Sequence, residues 1–152
     1  METLKRKILA SLGPKKNQVE SINFLAGDAS ERKYFKVILF DKKKLIIMFD
    51  PNKKNLKNFL KVSDTLRGLV SVPEIYQVYL NEGITIIEDF GNDKYSKILS
   101  NQNQLELYKL AVDNLVFIQK EEIVMDIPKY TKKKFLDEVN LFFEWYLPFF
   151  KI

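Results

Sequence analysis

Small side chains at one point of the sequence leave the backbone accessible to a ligand. The run Gly27, Asp28, Ala29 and Ser30 contains one residue without a side chain and two with short ones, so a ligand can approach its main chain closely. Backbone N–H groups of such a loop can bind the oxygens of a phosphate. A tight turn without a ligand has the same composition, and the loop by itself leaves both interpretations open.

Charged residues after this loop and near residue 90 could also take part in chemistry. Arg32 and Lys33 follow the loop closely and could lie near phosphate oxygens. Glu88 and Asp89 are adjacent carboxylates, but neighbouring side chains of a strand point to opposite faces. We therefore expect that these two acids do not share a proton or a metal ion.

The chain lacks two residue types that often carry chemistry near neutral pH. None of its 152 residues is histidine or cysteine. Without cysteine these residues form no disulfide, thiolate metal site or thiol nucleophile, and without histidine they have no imidazole to move a proton or bind a metal. Chemistry that needs such a group must use other residues or lie outside this chain.

Composition and charge indicate a folded protein and limit the kinds of partner that it can bind. The sequence is 46% hydrophobic with a net charge of +5, and its length suits one domain with its own core. The basic residues are spread out, with short runs only at residues 42–44 and 132–134, which argues against a dedicated nucleic-acid surface. No stretch approaches the about 20 apolar residues of a membrane span. We expect a soluble, cytoplasmic protein without a membrane partner.

Periodic patterns predict the elements that position the loop and the charged residues. Runs rich in β-branched and aromatic residues predict five antiparallel strands, at residues 22–26, 32–40, 45–50, 74–80 and 84–90. A helix over residues 53–69 separates the first three strands from the last two. Leu4, Ile8 and Leu12 recur at helical spacing and predict a short N-terminal helix, after which residues 15–20 read as a linker.

The sequence after Gly91 is helical throughout. A short helix over residues 95–99 precedes an amphipathic helix, with its stripe at Leu105, Tyr108, Val112, Leu115 and Ile118. Asn101 or Asn103 could cap this second helix. Thr131 can cap a last helix, with its stripe at Phe135, Val139, Phe142 and Tyr146.

The last helix is apolar on more than one side, because Phe143 and Leu147 lie beside its stripe. One side can pack on the helix over residues 105–118, and nothing else in the chain is left to cover the other. Exposed apolar surface of this kind marks a missing partner, so we expect self-association, a second chain or a further lobe there. Trp145 and Tyr146 belong to the same aromatic group, for which sugar stacking is the alternative to a packing role.

The order of three strands, a helix, two strands and then helices resembles the smaller lobe of the protein-kinase-like fold. Short motifs in matching order and spacing resemble a narrower group: residues 27–30 with 32–35, residues 48–51, Val72-Pro73, residues 88–91 with Tyr95, Tyr108 with Gln119, and Tyr130 ahead of Leu136, Glu138, Phe142, Trp145 and Tyr146. That group is the aminoglycoside phosphotransferase/choline kinase family, and within it the bacterial N-acetylmuramate/N-acetylglucosamine kinases. The resemblance covers essentially the whole chain and about the first half of a typical family member.

The resemblance implies a position for ATP. The nucleotide would lie under the loop of residues 27–30, against the sheet, with its adenine paired to main-chain groups near Glu88, Asp89 and Phe90. An apolar slot lined by strands, with one exposed backbone edge, suits an adenine ring. Arg32 and Lys33 would then lie near the phosphates.

Two departures from the kinase pattern limit what the chain can do alone. Kinases of this fold place a lysine on the third strand, paired with a glutamate of the next helix, whereas Met48 is near that position here and residues 53–69 contain no glutamate. Phosphoryl transfer also needs an aspartate for the acceptor hydroxyl and an Asn and an Asp for Mg²⁺, which the family carries in its second lobe. A chain without histidine cannot contain the usual His-x-Asp-x-x-x-x-Asn loop.

We therefore expect an α+β chain in three parts. Residues 1–20 form an N-terminal helix and linker, residues 21–91 a kinase-like nucleotide-binding lobe of five antiparallel strands and a helix, and residues 92–152 the first helices of an incomplete second lobe. The expected function is the ATP-binding part of an amino-sugar phosphotransferase that is inactive alone, with Mg²⁺ bound only when the second lobe is present. The alternative is a non-catalytic nucleotide-binding or protein-interaction module derived from that fold.

Overall fold

A computed structural model describes residues 2–27, 31–122 and 129–149. The described chain is an α+β structure built on a five-stranded antiparallel sheet. The strands are β1 (Val19–Gly27), β2 (Lys33–Leu39), β3 (Lys44–Phe49), β4 (Ile75–Tyr79) and β5 (Ile84–Glu88). The predicted strand content and strand order along the chain are confirmed.

Helices precede, interrupt and follow the sheet. The α-helices are α1 (Glu2–Ser11), α2 (Lys53–Leu66), α3 (Tyr95–Ile98), α4 (Gln104–Lys120), α5 (Lys132–Leu141) and α6 (Leu147–Phe149). A 3₁₀ helix occupies Gly13–Gln18 and a π-helical segment occupies Phe142–Tyr146. The segment predicted as a linker at residues 15–20 is therefore part of this 3₁₀ helix and the start of β1. None of the helices in the described ranges is both long and apolar enough to cross a membrane.

The sheet has the strand order β1-β2-β3-β5-β4, so the first three strands form a meander and β4 lies at the far edge. In this register Lys36 of β2 lies opposite Ile46 of β3, and Met48 of β3 lies opposite Thr85 of β5. Since side chains alternate along a strand, one face of the sheet carries Phe35 and the other carries Tyr34 and Lys36.

The core of the described chain lies between α1 and the Phe35 face of the sheet. Ile8 and Leu12, which the helical spacing at the N-terminus singles out, are buried in one cluster with apolar side chains from three strands, β2, β3 and β5: Phe35, Val37, Leu39, Leu45, Ile47, Ile84 and Ile86. Each such side chain removed from water contributes roughly 1.5–3 kcal/mol. This packing holds the sheet, and the opposite face remains for α2 and the candidate site.

Helix α2 begins and ends at residues suited to those positions. The side chain of Asn52 accepts hydrogen bonds from the N–H groups of Lys54 and Asn55, which is the usual role of an asparagine at a helix start. The helix ends at Leu66 and is followed by Gly68 with a φ of +92°, a backbone conformation that favours glycine. The predicted helix over residues 53–69 is confirmed, with its end three residues earlier.

The helices after Gly91 leave most of their apolar side chains in water. In α4, Leu105, Tyr108, Val112 and Leu115 are each more than half exposed, and Phe135 of α5 is 55% exposed. The stripes predict that the last helix packs on α4. In the structure, both stripes remain largely exposed. Thr131 caps α5 as predicted, by accepting from the N–H of Lys134.

Asn103 lies at the predicted start of α4 but makes no capping hydrogen bond there. Its side-chain oxygen instead accepts from the N–H of Ser100, and its amide donates to the carbonyl of Ile98. The asparagine therefore stabilises the turn between α3 and α4. The hydroxyl of Tyr95 in α3 also links the two helices, because it donates a hydrogen bond to the carbonyl of Leu107 in α4.

Candidate functional site

A cavity of about 390 Å³ opens where β1, β2 and β3 meet the segment that follows β5. It is lined by Leu25, Tyr34, Lys36, Ile46, Pro73, Glu88, Asp89, Phe90, Gly91, Asn92 and Lys94. Its volume is within the range of about 300–1,000 Å³ that small-molecule sites occupy. We call this cavity the cleft.

The cleft contains a mostly buried ion pair. Nζ of Lys36 lies 2.9 Å from Oδ2 of Asp89, and the two side chains are 12% and 6% exposed. Lys36 comes from the middle of β2 and Asp89 directly follows β5, so the pair crosses the cleft side of β3. Charges removed from water to this degree are costly unless they are paired, and this pair fixes both side chains within the cleft.

The main chain also donates a hydrogen bond to the carboxylate of Asp89. Oδ1 of Asp89 accepts from the N–H of Gly91 at 3.0 Å. Burial by itself would raise the pKa of Asp89, but the ammonium of Lys36 and the Gly91 N–H outweigh it and hold that pKa below its ordinary value. Asp89 is therefore ionised at neutral pH.

Glu88 forms hydrogen bonds with Glu74 and does not share the partners of Asp89. Its Oε2 accepts from the N–H of Glu74 at 3.1 Å, and its own N–H donates to the carbonyl of Glu74 at 2.9 Å. The two adjacent carboxylates thus have separate partners, as strand alternation leads one to expect.

A second ion pair lies at the loop end of the sheet. Nε and Nη2 of Arg32 both lie 2.9 Å from Oδ2 of Asp50, and the guanidinium also lies 5.6 Å from the ring centre of Phe59 in α2. Burial alone would lower the pKa of Arg32, but interactions with Tyr34 and Asp50 outweigh it and raise that pKa. Arg32 is therefore a fixed cation beside the loop.

Asp50 connects this cation to the start of α2. Its side chain is only 4% exposed, and its Oδ1 accepts from the N–H of Asn52 at 2.9 Å. Asn52 in turn caps α2. A continuous set of bonds therefore runs from the loop end through Arg32 and Asp50 to the helix, and it fixes how α2 meets the sheet.

The structure places the predicted loop residues only in part. Gly27 is the last residue of β1 and pairs with Lys33 of β2, so the loop connects these two strands as predicted. Asp28, Ala29 and Ser30 lie outside the described residues. A Cβ added at Gly27 would meet its nearest neighbours at 3.6 Å, which is ordinary van der Waals contact, so the space at this residue could accept a methyl group.

Of the other residues predicted for the site, one lines the cleft, one lies on the opposite face of the sheet and one is buried. Phe90 lines the cleft together with Glu88 and Asp89. Lys33 shares the strand parity of Phe35 and so belongs to the opposite face of the sheet from the cleft, whereas Met48 shares the parity of Tyr34 and is completely buried.

Trp145 and Tyr146, predicted as weak sugar contacts, lie in the π-helical segment and do not line the cleft. Trp145 is 74% exposed. The ring of Tyr146 stacks on Phe142 with a centroid distance of 4.9 Å. The exposure of Trp145 does not fit a packed core within the described chain.

Sequence reasoning missed several residues that line the cleft, and Lys36 is the most informative of them. Tyr34 and Lys36 alternate with Phe35 and Val37 along β2, and this alternation could have placed them on the face away from the core. The partner of Lys36 could not be read in the same way, because the contact with Asp89 depends on the strand order that brings β3 between β2 and β5.

A second cavity of about 410 Å³ lies on the α1 side of the sheet. Its polar lining includes Lys15 and Lys43, both exposed, and Lys43 lies 5.6 Å from the ring centre of Tyr76. It has no counterpart to the buried ion pair of the cleft. The cleft is for this reason the stronger candidate site.

No protein-family model matches the chain. Three curated proteins named N-acetylmuramate/N-acetylglucosamine kinase are similar to it. The protein from Pseudomonas aeruginosa is 32% identical over 123 residues, that from Neisseria meningitidis serogroup B is 30% identical over 131 residues, and that from Pseudomonas putida is 29% identical over 128 residues. The predicted similarity to amino-sugar kinases is confirmed.

Each alignment covers most of this chain but a much smaller share of the relative. They include 80–84% of this chain but only 36–39% of each relative. The chain therefore spans well under half of the length of the curated relatives that it matches.

Proposed function

We propose that the sheet and its cleft form the ATP-binding lobe of a protein-kinase-like phosphotransferase that acts on an amino-sugar hydroxyl. The observation that carries this proposal is the position of the cleft, which lies between the strands that flank the loop of residues 28–30 and the segment at residues 88–91. The similarity to proteins named as amino-sugar kinases supports the same proposal.

The chemistry of the cleft suits a base at one end and phosphates at the other. Leu25 and Ile46 offer apolar surface to an aromatic ring, and main chain at residues 88–90 offers hydrogen-bonding groups beside it. The phosphates would extend toward the loop, whose end carries Arg32. A guanidinium is an effective phosphate partner because it presents several N–H groups in a fixed plane.

We assign no Mg²⁺ ligand to the described residues, because they bring together no group of three or more His, Cys, Asp or Glu side chains that could hold a metal ion. Kinases hold Mg²⁺ and orient the acceptor hydroxyl with an Asn and with Asp side chains. We propose that further chain, in the same or another polypeptide, supplies these groups. Residues 2–149 would then bind ATP weakly and with little dependence on Mg²⁺.

Titration calorimetry of the purified chain with ATP tests this proposal through Gly27. The Gly27→Val variant should bind ATP at least about tenfold more weakly, because a branched side chain keeps phosphate oxygens from the main chain. Gly27→Ala is the matched control, since its methyl group finds room, and it should lose less. If the chain binds no ATP at millimolar concentration, or if both variants bind like the native chain, the proposal is contradicted.

We further propose that the exposed apolar side chains of α4, α5 and the π-helical segment are covered by the remainder of the kinase. The relatives extend far beyond the matched region, so a lobe of sufficient size is available in them. Phe143 and Trp145 are 58% and 74% exposed, and surface of this kind costs free energy when it faces water.

The isolated chain should therefore self-associate and bind an exposed-hydrophobe dye. Replacing both Phe143 and Trp145 by serine should lower dye fluorescence severalfold and shift the sedimentation profile toward monomer. Phe40→Ser provides the control, because Phe40 is 65% exposed next to the β2–β3 turn, away from these helices. A native chain that stays monomeric at high concentration and binds no dye would remove the need for a covering lobe.

A further inference from the structure

Strand β4 forms an edge of the sheet that carries little protection against pairing with another chain. It is last in the order β1-β2-β3-β5-β4, so within the sheet only its β5 side is paired. Its sequence, Ile-Tyr-Gln-Val-Tyr, contains no charged residue and no proline, and Tyr76 and Val78 are 42% and 38% exposed. Natural sheets usually protect an edge with charges, proline or a bulge, because its unpaired main-chain groups can pair with another strand.

An irregular register at the start of β4 protects only part of this edge. The irregularity lies between Ile75 and Gln77, and residues 77–79 then pair regularly with β5. Strand β1, at the opposite edge, has two such irregularities and also carries Glu20, which forms an ion pair with Lys42. The edge of β4 is therefore the less protected of the two.

The cavity of about 410 Å³ on the α1 side of the sheet lies beside this edge, because three residues of β4 belong to its lining. Leu12, Leu45 and Ile86 also line it, and all three are buried in the core cluster. An apolar side chain that entered this α1-side cavity would continue the core toward β4, which removes apolar surface from water.

The charges around the α1-side cavity indicate which kind of ligand it suits. Lys15 and Lys43 belong to the lining, and none of the described residues that line it is acidic. Nζ of Lys43 lies 5.6 Å from the ring centre of Tyr76, so this cation is held beside the edge strand. The carboxylate of Glu88 accepts from the N–H of Glu74 near the start of β4, and neither residue lines the cavity. Carboxylates of a ligand would complement the two lysines.

We propose that β4 and the α1-side cavity bind an extended, acidic segment of a partner protein, which pairs with the free edge of β4 as an additional strand. Strand addition obtains affinity from main-chain hydrogen bonds and specificity from pockets for alternate side chains. Since side chains of a strand alternate between two faces, every second residue of the segment faces the cavity. An apolar residue in that row enters the cavity, and an acidic residue on each side of it meets Lys15 or Lys43. This binding does not depend on the nucleotide site in the cleft.

A second copy of this chain suits the edge less well than an acidic segment. Pairing of β4 with β4 of another copy would bring the lysines of two cavities together, in a chain with a net charge of +5. Like charges placed across an interface oppose association. A nucleotide has no extended main chain and cannot pair with a strand edge, so ATP is not the ligand of this surface.

Two peptides test the proposal in ¹H–¹⁵N NMR titrations of the labelled chain at low ionic strength. The acidic peptide is acetyl-Thr-Glu-Thr-Ile-Thr-Glu-Thr-amide, which carries Glu, Ile and Glu on one face as a strand, and the basic peptide has lysine at both glutamate positions. The native chain should bind the acidic peptide at least about tenfold more tightly than the basic one. The amide signals of Lys15, Tyr76 and Val78 should shift with the affinity of that binding.

Hydrogen exchange of the β4 amides tests the strand pairing itself. Exchange within residues 75–79 should slow severalfold in the complex with the acidic peptide, because an added strand protects main-chain N–H groups that otherwise exchange with water. A peptide that only enters the cavity, or only contacts the lysines, would leave this exchange unchanged. That result would overturn the strand addition.

Charge reversal at the cavity tests the role of the lysines. In the double variant Lys15→Glu with Lys43→Glu the basic peptide should bind more tightly than the acidic one. The matched control is Lys132→Glu with Lys133→Glu, which changes the net charge equally at exposed positions of α5 outside the cavity, and it should keep the native order. If circular dichroism shows that the reversed variant does not fold, Lys15→Gln with Lys43→Gln should bring the two affinities within about threefold of each other.

The proposal is wrong if the native chain binds both peptides equally, or if it binds no acidic peptide at millimolar concentration. It is also wrong if the control variant reverses the order as the cavity variant does, because the net charge would then select the peptide. None of these results changes what ATP titrations show for the cleft, so this inference and the proposed function can fail separately.

Discussion

The Asp50→Ala variant should unfold with a free energy about 2–4 kcal/mol lower than that of the native chain. Asp50 is 4% exposed and pairs with Arg32, itself 22% exposed, so its removal leaves a mostly buried guanidinium without its carboxylate. The N–H of Asn52, which now donates to Asp50, would lose its acceptor as well. The start of α2 would be loosened together with the loop end of the sheet.

Urea unfolding at pH 7 measures this loss of unfolding free energy, and two further variants show which interaction causes it. Asp50→Asn keeps an acceptor for Asn52 but removes the charge, so it should lose less stability than Asp50→Ala. Glu20→Ala breaks a surface pair whose side chains are 73% and 37% exposed, for which a change of about 0–1 kcal/mol is expected. If Asp50→Ala proves no more destabilising than Glu20→Ala, the ion pair at Asp50 does not hold this end of the sheet.

Gly83→Ala should destabilise the chain by about 2–5 kcal/mol. Gly83 has a φ of +70°, and a Cβ placed on it would lie 2.3 Å from the carbonyl oxygen of Asp50. The N–H of Asp50 also donates to the Gly83 carbonyl at 2.8 Å, so the two segments cannot separate without breaking that bond. Both the strained backbone and the overlap therefore act against alanine.

Gly68→Ala separates these two causes. Gly68 also has a positive φ, +92°, but a Cβ there would meet nothing within 4 Å. It should cost only the backbone strain of about 1–3 kcal/mol, and the additional loss in Gly83→Ala measures the overlap. Equal unfolding free energies for the two variants would show that the hairpin at Gly83 moves away from Asp50 at little cost.

The elements of this fold could be predicted because local patterns specify them. Ile8 and Leu12 recur at helical spacing, and both are buried against the sheet. The strands around Phe35 and Ile47 are rich in β-branched and aromatic residues, and both of these side chains are completely buried. Such periodicity depends on neighbours along the chain, which a sequence displays directly.

The contacts of the candidate site depend on the sheet order and could not be read in this way. Lys36 and Asp89 are 53 positions apart in the sequence and meet because β3 lies between their strands. Arg32 was predicted near the phosphates, but its bond to Asp50 and its contact with Phe59 required the position of α2. The exposure of α4 and α5 was underestimated because an amphipathic stripe indicates that a face seeks burial, without showing whether a partner is present.

The central claim, that nucleotide binds in the cleft, is tested most directly by two-dimensional ¹H–¹⁵N NMR spectra recorded during an ATP titration. Amide signals of Tyr34, Lys36, Ile46, Asp89 and Gly91 should shift in a saturable manner with one common affinity. Those of Ser11, Lys15 and Tyr76, which line the cavity on the α1 side, should stay in place. Shifts confined to the α1-side cavity, or none at millimolar ATP, would contradict the assignment of the cleft as the nucleotide site.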